Sequence, residues 1–327
     1  ESPGRLKGKQ KTKIGAKNAP LYFLKMETDS KAAAIFGNVT LDIICKTVDD
    51  VPRYDSITFQ DAAVTPGGCA SNTAIGLARL GERVYLIACT GEDQPAEFLH
   101  QTWGKQGVDT RFVTSDKELG TGISVGLVDS DFQPRFIHTS GANGRLNKEF
   151  LVPDLLQEQG VGFVHVAGYF VLPGLMEDGF SERLHALQQV GIHTSLDVVR
   201  SPAMDSPVYL SRLLSHLDLF LCNQAEGEIL TGYKDPQQAA SAFIQQGARG
   251  VIIKMGAAGC WLADPLQQIH VPGVAVDHVV DTTGAGDAFA AGLLAALING
   301  LDNFSACQAG IREGTVAVKY LGAVQLD

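Results

Sequence analysis

A turn of small residues followed by a carboxylate lies near the C-terminal end of this 327-residue chain. Gly284, Ala285 and Gly286 precede Asp287, and the apolar stretch 288–297 predicts a helix. Small residues leave the N–H groups at the start of a helix uncovered, and these groups bind anions. A carboxylate that only capped its helix would not need this turn. The pattern therefore predicts an anion hole for a phosphoryl group. Asp287 would be the general base that takes a proton from a substrate hydroxyl.

A second cluster, in the first third of the chain, contains groups suited to binding hydroxyls. Gly67 and Gly68 let the backbone approach a ligand closely, and Asn72 can both donate and accept hydrogen bonds. Asp42 follows a predicted buried strand and could accept hydrogen bonds from two hydroxyls at once. A helix is predicted to start at residue 73, directly after this segment. The alternatives are an ordinary turn at the glycines with Asn72 in the first turn of that helix, and a solvated carboxylate at Asp42. Together the four residues predict a site for a hydroxyl-rich substrate.

Two strand ends in the C-terminal half carry groups suited to a nucleotide. Asn223 and Glu226 follow an apolar strand at a spacing that places them on one face of a helical turn. Mg²⁺ with phosphate ligands needs only one or two protein oxygens, often through water, and Glu226 could supply one. A capping Asn with a first-turn Glu is the alternative. Lys254 ends another strand, and Gly256 and Gly259 suit a backbone wall beside the nucleotide, although a β-turn has the same pattern.

Composition and charge argue against several other classes of protein. The net charge of −10 disfavours a general nucleic-acid-binding surface. The six cysteines are scattered without metal-site spacing, which predicts reduced thiols and a cytoplasmic protein. No apolar run reaches the ~18–20 residues of a membrane span. No Walker, GxGxxG or HExxH motif occurs. We therefore expect neither nucleic acid nor a membrane as a partner.

The order of the predicted elements indicates an α/β fold. From residue 161 onward, apolar strands alternate with amphipathic helices, which predicts a parallel sheet covered by helices on both faces. Two β-rich segments, at about 41–65 and 120–140, interrupt the pattern and predict one small separate sheet. Residues 1–31 are Lys-rich and predict a flexible basic tail or a remnant of cloning, with a basic interaction arm as the alternative. Residues 32–327 form the predicted domain.

Taken together, these motifs resemble those of the ribokinase family of carbohydrate kinases, also called the phosphofructokinase-B family. The stretch 281–294 resembles the C-terminal signature of that family, and 67–74 resembles its N-terminal signature. The Asn223–Glu226 segment matches the family's Asn-x-x-Glu motif, and Asp42 matches its acidic residue after the first strand. The resemblance extends over about residues 32–325.

The resemblance implies a ribokinase-like three-layer α/β/α sandwich with a mostly parallel central sheet and a small β-sheet lid. It implies phosphorylation of a carbohydrate hydroxyl that depends on ATP and Mg²⁺. Asp287 would act as the base, and the N-terminal signature would hold the sugar. The backbone carbonyls of Asp281 and Thr283 would bind a monovalent cation such as K⁺. Two copies would pair through their lids as a homodimer.

Differences from the family pattern leave the substrate open. Thr40 stands where ribokinases have Asn, and Cys69 stands where they have Lys, so both weaken an assignment to ribose. Arg135 and Phe136, on the predicted lid, could contact a substrate carboxylate, a phosphate or a base. Three functions remain. They are a kinase for a hexose, pentose or keto-sugar acid, a nucleoside kinase, and a catalytically silent sugar-binding or scaffold protein. The intact motif at Asp287 disfavours the third.

Overall fold

Two β-sheets contain the extended segments of the chain. The computed structural model describes residues 32–131, 134–205 and 207–324, so the predicted tail 1–31 lies outside it. The strands of the described residues are β1 (Ala32–Gly37), β2 (Thr40–Lys46), β3 (Asp61–Gly67), β4 (Arg83–Gly91), β5 (Asp109–Asp116), β6 (Ile123–Val128), β7 (Pro134–Thr139), β8 (Val161–Ala167), β9 (His193–Asp197), β10 (Leu219–Asn223), β11 (Val251–Lys254), β12 (Gly259–Ala263) and β13 (Gln268–Pro272).

Helices connect the strands and cover the larger sheet. The α-helices of the described residues are α1 (Cys69–Arg79), α2 (Gln94–Lys105), α3 (Pro153–Glu158), α4 (Phe180–Gln189), α5 (Val208–Leu213), α6 (Gln224–Thr231), α7 (Pro236–Gln245), α8 (Ala285–Ile298) and α9 (Asn303–Ala317). In this part of the chain, no helix combines the length and the apolar character that crossing a bilayer requires.

The larger sheet has the strand order β13-β12-β11-β10-β9-β8-β1-β4-β5. Every neighbouring pair from β11 through to β5 is parallel, whereas β11, β12 and β13 pair antiparallel at one edge. Strand order reverses at β1, because the chain proceeds from β1 outward in both directions. Ligands of such sheets bind beyond the carboxyl ends of the strands, near such a reversal. The mostly parallel sheet that the sequence predicted is confirmed.

Two apolar cores separate the sheet from its two layers of helices. Successive side chains of β1 enter opposite cores, as the two-residue period of a strand requires. Phe36 lies in the core that contains Leu184 of α4 and Phe243 of α7. Ile35 lies in the core that contains Ala74 of α1, together with residues of α8. Burial on both faces explains why the strands are apolar throughout, and the predicted three-layer sandwich is confirmed.

The smaller sheet has the order β3-β2-β6-β7 and forms the predicted lid. Paired residues of neighbouring strands lie on the same face of a sheet. Asp42 therefore shares one face with His138, through the pairing of β2, β6 and β7. Ile43 shares the opposite face with Val64 and Ile137. We call these the inner and outer faces of the lid. Val64 is 49% exposed and Ile137 is 65% exposed, so the outer face is apolar and uncovered.

Helix α8 begins three residues earlier than the sequence predicted. Gly284 is its N-cap, with a left-handed φ of 73°, and Asp287 lies in its first turn. Glycines suggest irregular backbone in a sequence, but they are tolerated where a helix starts. The helix is apolar on all sides because α1 and α9 pack against it. A Cβ at Gly76 of α1 would lie 2.7 Å from the Cβ of Ala291, so glycine permits this close approach.

Candidate active site

The base predicted from the sequence lies between two helix N-termini. Asn72, in the first turn of α1, donates a hydrogen bond from Nδ2 to Oδ2 of Asp287 at 2.8 Å. The two residues are 215 positions apart in the chain, so only the fold brings them together. The backbone N–H groups of Gly286 and Asp287, in the first turn of α8, precede the N–H of Ala288, which donates to the Gly284 carbonyl oxygen, whereas the Ala285 N–H donates to the Thr282 carbonyl oxygen at 3.2 Å. An anion hole at this turn stays a prediction. The arrangement places a fixed carboxylate beside the turn that the sequence predicted to bind a phosphoryl group.

The environment of Asp287 tunes its basicity. Burial, together with the nearby Asp197 carboxylate, raises its pKa from 3.8 to about 7, although the hydrogen bond from Asn72 and the charge of Lys254 oppose this shift. A carboxylate with a pKa near the working pH combines a useful ionised fraction with strong basicity. Asp287 is therefore suited to accept a proton near neutral pH.

A buried ion pair lies beside Asp287. The Nζ of Lys254, at the end of β11, is 2.5 Å from Oδ2 of Asp197, at the end of β9. The side chains are 14% and 8% exposed. The sequence predicted Lys254 as a nucleotide contact. Asp197 belongs to none of the predicted motifs, because pairing across an intervening strand leaves no local signal. The structure thus adds Asp197 to the site.

Asn223 and Glu226 form a capping box at the start of α6. The Asn223 N–H donates to Glu226 Oε2 at 2.7 Å, and the Glu226 N–H donates to Asn223 Oδ1 at 2.9 Å. This is the alternative that the sequence left open. Burial and the negative charge of Asp197 raise the pKa of Glu226 to about 7. A contact of Glu226 with Mg²⁺ through water stays a prediction.

The acceptor side of the site contains a second buried carboxylate. Asp42 is 7% exposed, and burial raises its pKa to about 6 although Thr40 Oγ1 donates to Oδ1 at 2.5 Å. A Cβ at Gly67 would lie 2.0 Å from Cγ of Asp42, so the carboxylate needs the glycine. The Oδ1 of Asn72 is buried and has no hydrogen-bond partner among the described residues. Buried acceptors normally have donors, so the Oδ1 of Asn72 is available to a donor group of a ligand. Substrate contact by Asn72 and Asp42 stays a prediction.

Gly68 explains the sharp entry into α1. It is the N-cap of that helix with a φ of 85°, and a Cβ there would lie 2.5 Å from the carbonyl oxygen of Asn38. Any other residue would be strained in this conformation and would also overlap the backbone. The sequence predicted a helix start at residue 73, but α1 starts at Cys69. Asn72 therefore lies inside α1, and the helical backbone fixes its position.

Asp281 stabilises the segment that leads into α8. Its Oδ1 accepts hydrogen bonds from the N–H and Oγ1 of Thr283 at 2.9 and 2.7 Å. Its Oδ2 accepts a hydrogen bond from the N–H of Gly322 at 2.9 Å. The carboxylate therefore ties the turn to a later segment of the chain. A monovalent cation at the carbonyls of Asp281 and Thr283 stays a prediction.

The two glycines predicted beside a nucleotide have different surroundings. Gly259, with a φ of 93°, would bring a Cβ within 2.1 Å of the Val271 carbonyl oxygen, so packing of the β12–β13 hairpin already requires it. Gly256, with a φ of 56°, would meet nothing within 4 Å, so the turn after Lys254 has an open side. A nucleotide contact of both glycines stays a prediction.

Arg135 lies within the lid. Its Nη2 donates to the carbonyl oxygens of Val48 at 2.8 Å and Asp49 at 2.9 Å. The pairing of β2, β6 and β7 places Arg135 on the outer face of the lid, opposite to Asp42. Substrate contact by Arg135 stays a prediction, and Phe136, 41% exposed, lies on the inner face instead.

Comparison with known proteins agrees with this site. The sequence matches the pfkB family carbohydrate kinases over residues 30–326. A 2-dehydro-3-deoxygluconokinase of Bacillus subtilis is 32% identical over 266 residues, covering 78% of this chain and 81% of that protein. A ribokinase of Haemophilus influenzae is 26% identical over 298 residues, covering 90% of this chain and 94% of that protein. The structure of Arabidopsis thaliana ribokinase complexed with ribose and ATP superposes on this structure with a TM-score of 0.78 at 25% sequence identity. The match covers 89% of this chain and 94% of that chain.

The fold and the family match define a phosphotransferase that acts on an alcohol group. The chain belongs to the pfkB family of carbohydrate kinases, as the sequence predicted. Within that family it is a sugar or nucleoside kinase of the ribokinase type.

Proposed function

We propose that this protein transfers the γ-phosphoryl group of ATP to a hydroxyl of a small carbohydrate, with Asp287 as the general base. The observation that carries the proposal is the hydrogen bond of 2.8 Å between Asn72 and Asp287. It joins the proposed hydroxyl-binding half of the chain to the proposed phosphate-binding half at a carboxylate whose pKa of about 7 suits a base.

The chemical step follows from this arrangement. The acceptor oxygen forms a bond to the γ-phosphorus as the bond from that phosphorus to the β–γ bridging oxygen breaks. The hydroxyl proton moves to Asp287, and ADP leaves with the electron pair of the broken bond. The N–H groups of the Gly284–Gly286 turn stabilise the charge on the phosphoryl oxygens. Asn72 keeps the carboxylate directed at the acceptor.

Mg²⁺ fits the donor groups beside the turn. The carboxylate of Glu226 is a hard oxygen donor, 4% exposed, at the end of the same sheet. We assign Asn223 and Glu226 to hold the ion through water. When bound, Mg²⁺ would neutralise phosphate charge.

A nucleoside kinase is the second candidate function. Phe136, 41% exposed on the inner face of the lid, offers a ring on which a base could stack. Asp42 would then bind ribose hydroxyls of the nucleoside. The aromatic ring is the observation that favours this candidate.

A panel of acceptors assayed by ADP release tests both candidates. It contains neutral hexoses and pentoses, keto-sugar acids, and the nucleosides adenosine, inosine and guanosine. Turnover of a sugar or a sugar acid supports the first candidate and separates the neutral from the acidic class. Turnover of nucleosides with every sugar inert replaces it by the second. ATP binding without turnover of any acceptor would overturn both.

The pH dependence of the reaction should report the ionisation of the base. We expect kcat/KM for the acceptor to rise with pH through about 7 and to level off above it, because Asp287 accepts a proton only when ionised. Glu226, with a pKa of about 7, and Asp42, with a pKa of about 6, ionise in the same range and steepen the rise. Rates measured between about pH 5 and pH 9 test this. A profile that is flat down to about pH 5 would contradict the assignment.

Replacing Gly67 with alanine should weaken acceptor binding selectively. The added Cβ would overlap the Asp42 carboxylate and displace it. Charged hydrogen bonds contribute about 1.5–3 kcal/mol, so we expect the acceptor KM to rise roughly ten- to a hundredfold while the KM of ATP stays unchanged. Gly104→Ala is the control, because a Cβ at this position in α2 meets nothing within 4 Å. An unchanged acceptor KM would remove Asp42 from the site.

We also propose the homodimer. The outer face of the lid, with Val64 and Ile137 exposed, supplies the apolar surface that two copies would cover by pairing. Light scattering in solution tests the pairing.

We also propose a cytoplasmic location. It is supported by the six cysteines, all of which are free thiols.

A further inference from the structure

The ion pair between Asp197 and Lys254 has an unusual position for a structural salt bridge. The two residues end β9 and β11, and β10 lies between these strands. The Lys254 side chain therefore reaches across the end of β10 to place Nζ 2.5 Å from Asp197 Oδ2. Asp197 is itself fixed, because its Oδ1 accepts a hydrogen bond from the Val198 N–H at 2.9 Å. The pair spans the edge of the sheet where phosphate-binding groups converge.

The ammonium group also lies against the anion-binding turn. A Cβ at Gly286 would be 3.2 Å from Lys254 Nζ, so the cation faces the backbone of the first turn of α8. Burial alone would lower the pKa of Lys254, but the carboxylates of Asp197, Glu226 and Asp287 raise it above its usual value. The lysine is therefore a permanent positive charge at the place where the turn would bind a phosphoryl group.

A buried ion pair is weak support for stability, because desolvation of the two charges offsets their attraction. A kinase site gives this pair another use. Lysine has a flexible stem and can move between neighbouring carboxylates. Without Asp197, the nearest alternative partners are Glu226 and Asp287, and pairing with Asp287 would make that base weaker.

Building on the proposed function, we propose that Asp197 is a positioning residue for phosphoryl transfer. It holds the Lys254 ammonium against Gly286, where the ammonium contacts the transferred phosphoryl group. Lys254 then stabilises charge on the phosphoryl oxygens together with the N–H groups of the turn. Asp197 keeps this cation away from the base.

Four variants test the proposal: Lys254→Met, Asp197→Asn, the double variant that combines them, and the control Arg249→Met. Arg249 forms an ion pair with Asp218 at 3.1 Å, and it precedes β11 at the end remote from the site. We expect Lys254→Met to lower kcat about 10²–10³-fold, as loss of one oxyanion donor does. Asp197→Asn should lower kcat by roughly tenfold or more, because it only frees the lysine. The control should keep its kcat.

The double variant keeps the test decisive if a single variant fails to fold. Removing both charges of a buried pair is often neutral or stabilising, so this protein should fold. We expect it to be as slow as Lys254→Met alone, because Asp197 acts only through the lysine. Wild-type kcat in the folded double variant would mean that the pair is only structural and would overturn the proposal.

The pH profile distinguishes the proposed role from a purely structural one. An ion pair between Asp197 and Lys254 that only supported the fold would not shift the profile as described here. The groups facing Asp287 are Asn72 and Cys69 from α1, Asp197 from β9 and Lys254 from β11. Loss of the lysine should move the acid limb of kcat/KM to higher pH, and loss of the Asp197 charge should move it to lower pH. Shifts of the same sign in both variants would refute the assigned roles. Failure of the wild-type enzyme on every acceptor would instead refute the proposed function.

Discussion

Replacing Asp287 with asparagine is expected to lower kcat by about 10²–10⁴-fold, the usual contribution of a general base. Asparagine preserves the shape of the side chain but cannot accept the hydroxyl proton. Nucleotide binding should persist, since the N–H groups of the turn remain. Steady-state kinetics and the Kd of ATP measure the two effects separately. A variant that keeps kcat within tenfold of the wild type would show that another group is the base.

The stability of this variant provides an internal check. The folded-state pKa of Asp287 is about 7, above its usual 3.8. Between these values the folded protein holds a proton that the unfolded chain releases, so stability falls as pH rises. Asparagine removes this penalty, and Tm at about pH 8 should equal or exceed that of the wild type. Asp302→Asn is the matched control. Asp302 caps α9, and asparagine also caps helices, so kcat should be unchanged. Hydrogen bonds from Ser305 hold the pKa of Asp302 below its usual value, so loss of its charge should lower Tm slightly, opposite in sign to the effect at Asp287.

Replacing Gly284 with alanine should damage both the fold and the catalysis. At a φ of 73°, a Cβ would lie 2.4 Å from the Cβ of Ala323 and 2.6 Å from its Cα. Left-handed backbone and overpacking together cost about 2–5 kcal/mol. The turn must move to relieve the overlap, and a displacement of about 1 Å can lower kcat roughly 10²-fold. Thermal unfolding and kinetics measure the two losses.

Gly300→Ala separates the two causes. Gly300 follows the other end of α8 with a φ of 75°, but a Cβ there would meet nothing within 4 Å. This variant has the backbone strain without the overlap, so it should lose about 1–2 kcal/mol of stability and keep its kcat. Equal effects of the two substitutions would show that the contact with Ala323 does not shape the turn.

The layers of this fold could be predicted because their sequence signals are local. Apolar strands such as 161–166, alternating with amphipathic helices, indicate a covered parallel sheet without knowledge of any partner. The limits of helices were harder, because glycine occurs both in turns and at helix starts. The starts of α1 and α8 were therefore placed too late, although both lie within the recognised motifs.

The candidate site was predictable only where its groups belong to a motif. Asp287 and Asn72 each stand in a signature, so their functions could be predicted before their contact was known. Asp197 has no such signature, because its importance comes from a lysine on a strand two positions away in the sheet. The orientation of Arg135 depends on strand register, which a sequence does not fix when one face of a lid is uncovered.

The hydrogen bond from Gly322 to Asp281 also constrains when the enzyme can become active during its synthesis. The segment before α8 is tied to a residue 41 positions later, and Ala323 packs against Gly284. While these residues are still inside the exit tunnel of the ribosome, the chain lacks the contacts of Gly322 and Ala323 that hold the turn before α8. A nascent polypeptide can therefore build most of the sheet while it still lacks these contacts, and the turn is completed only after residues 322 and 323 have left the exit tunnel.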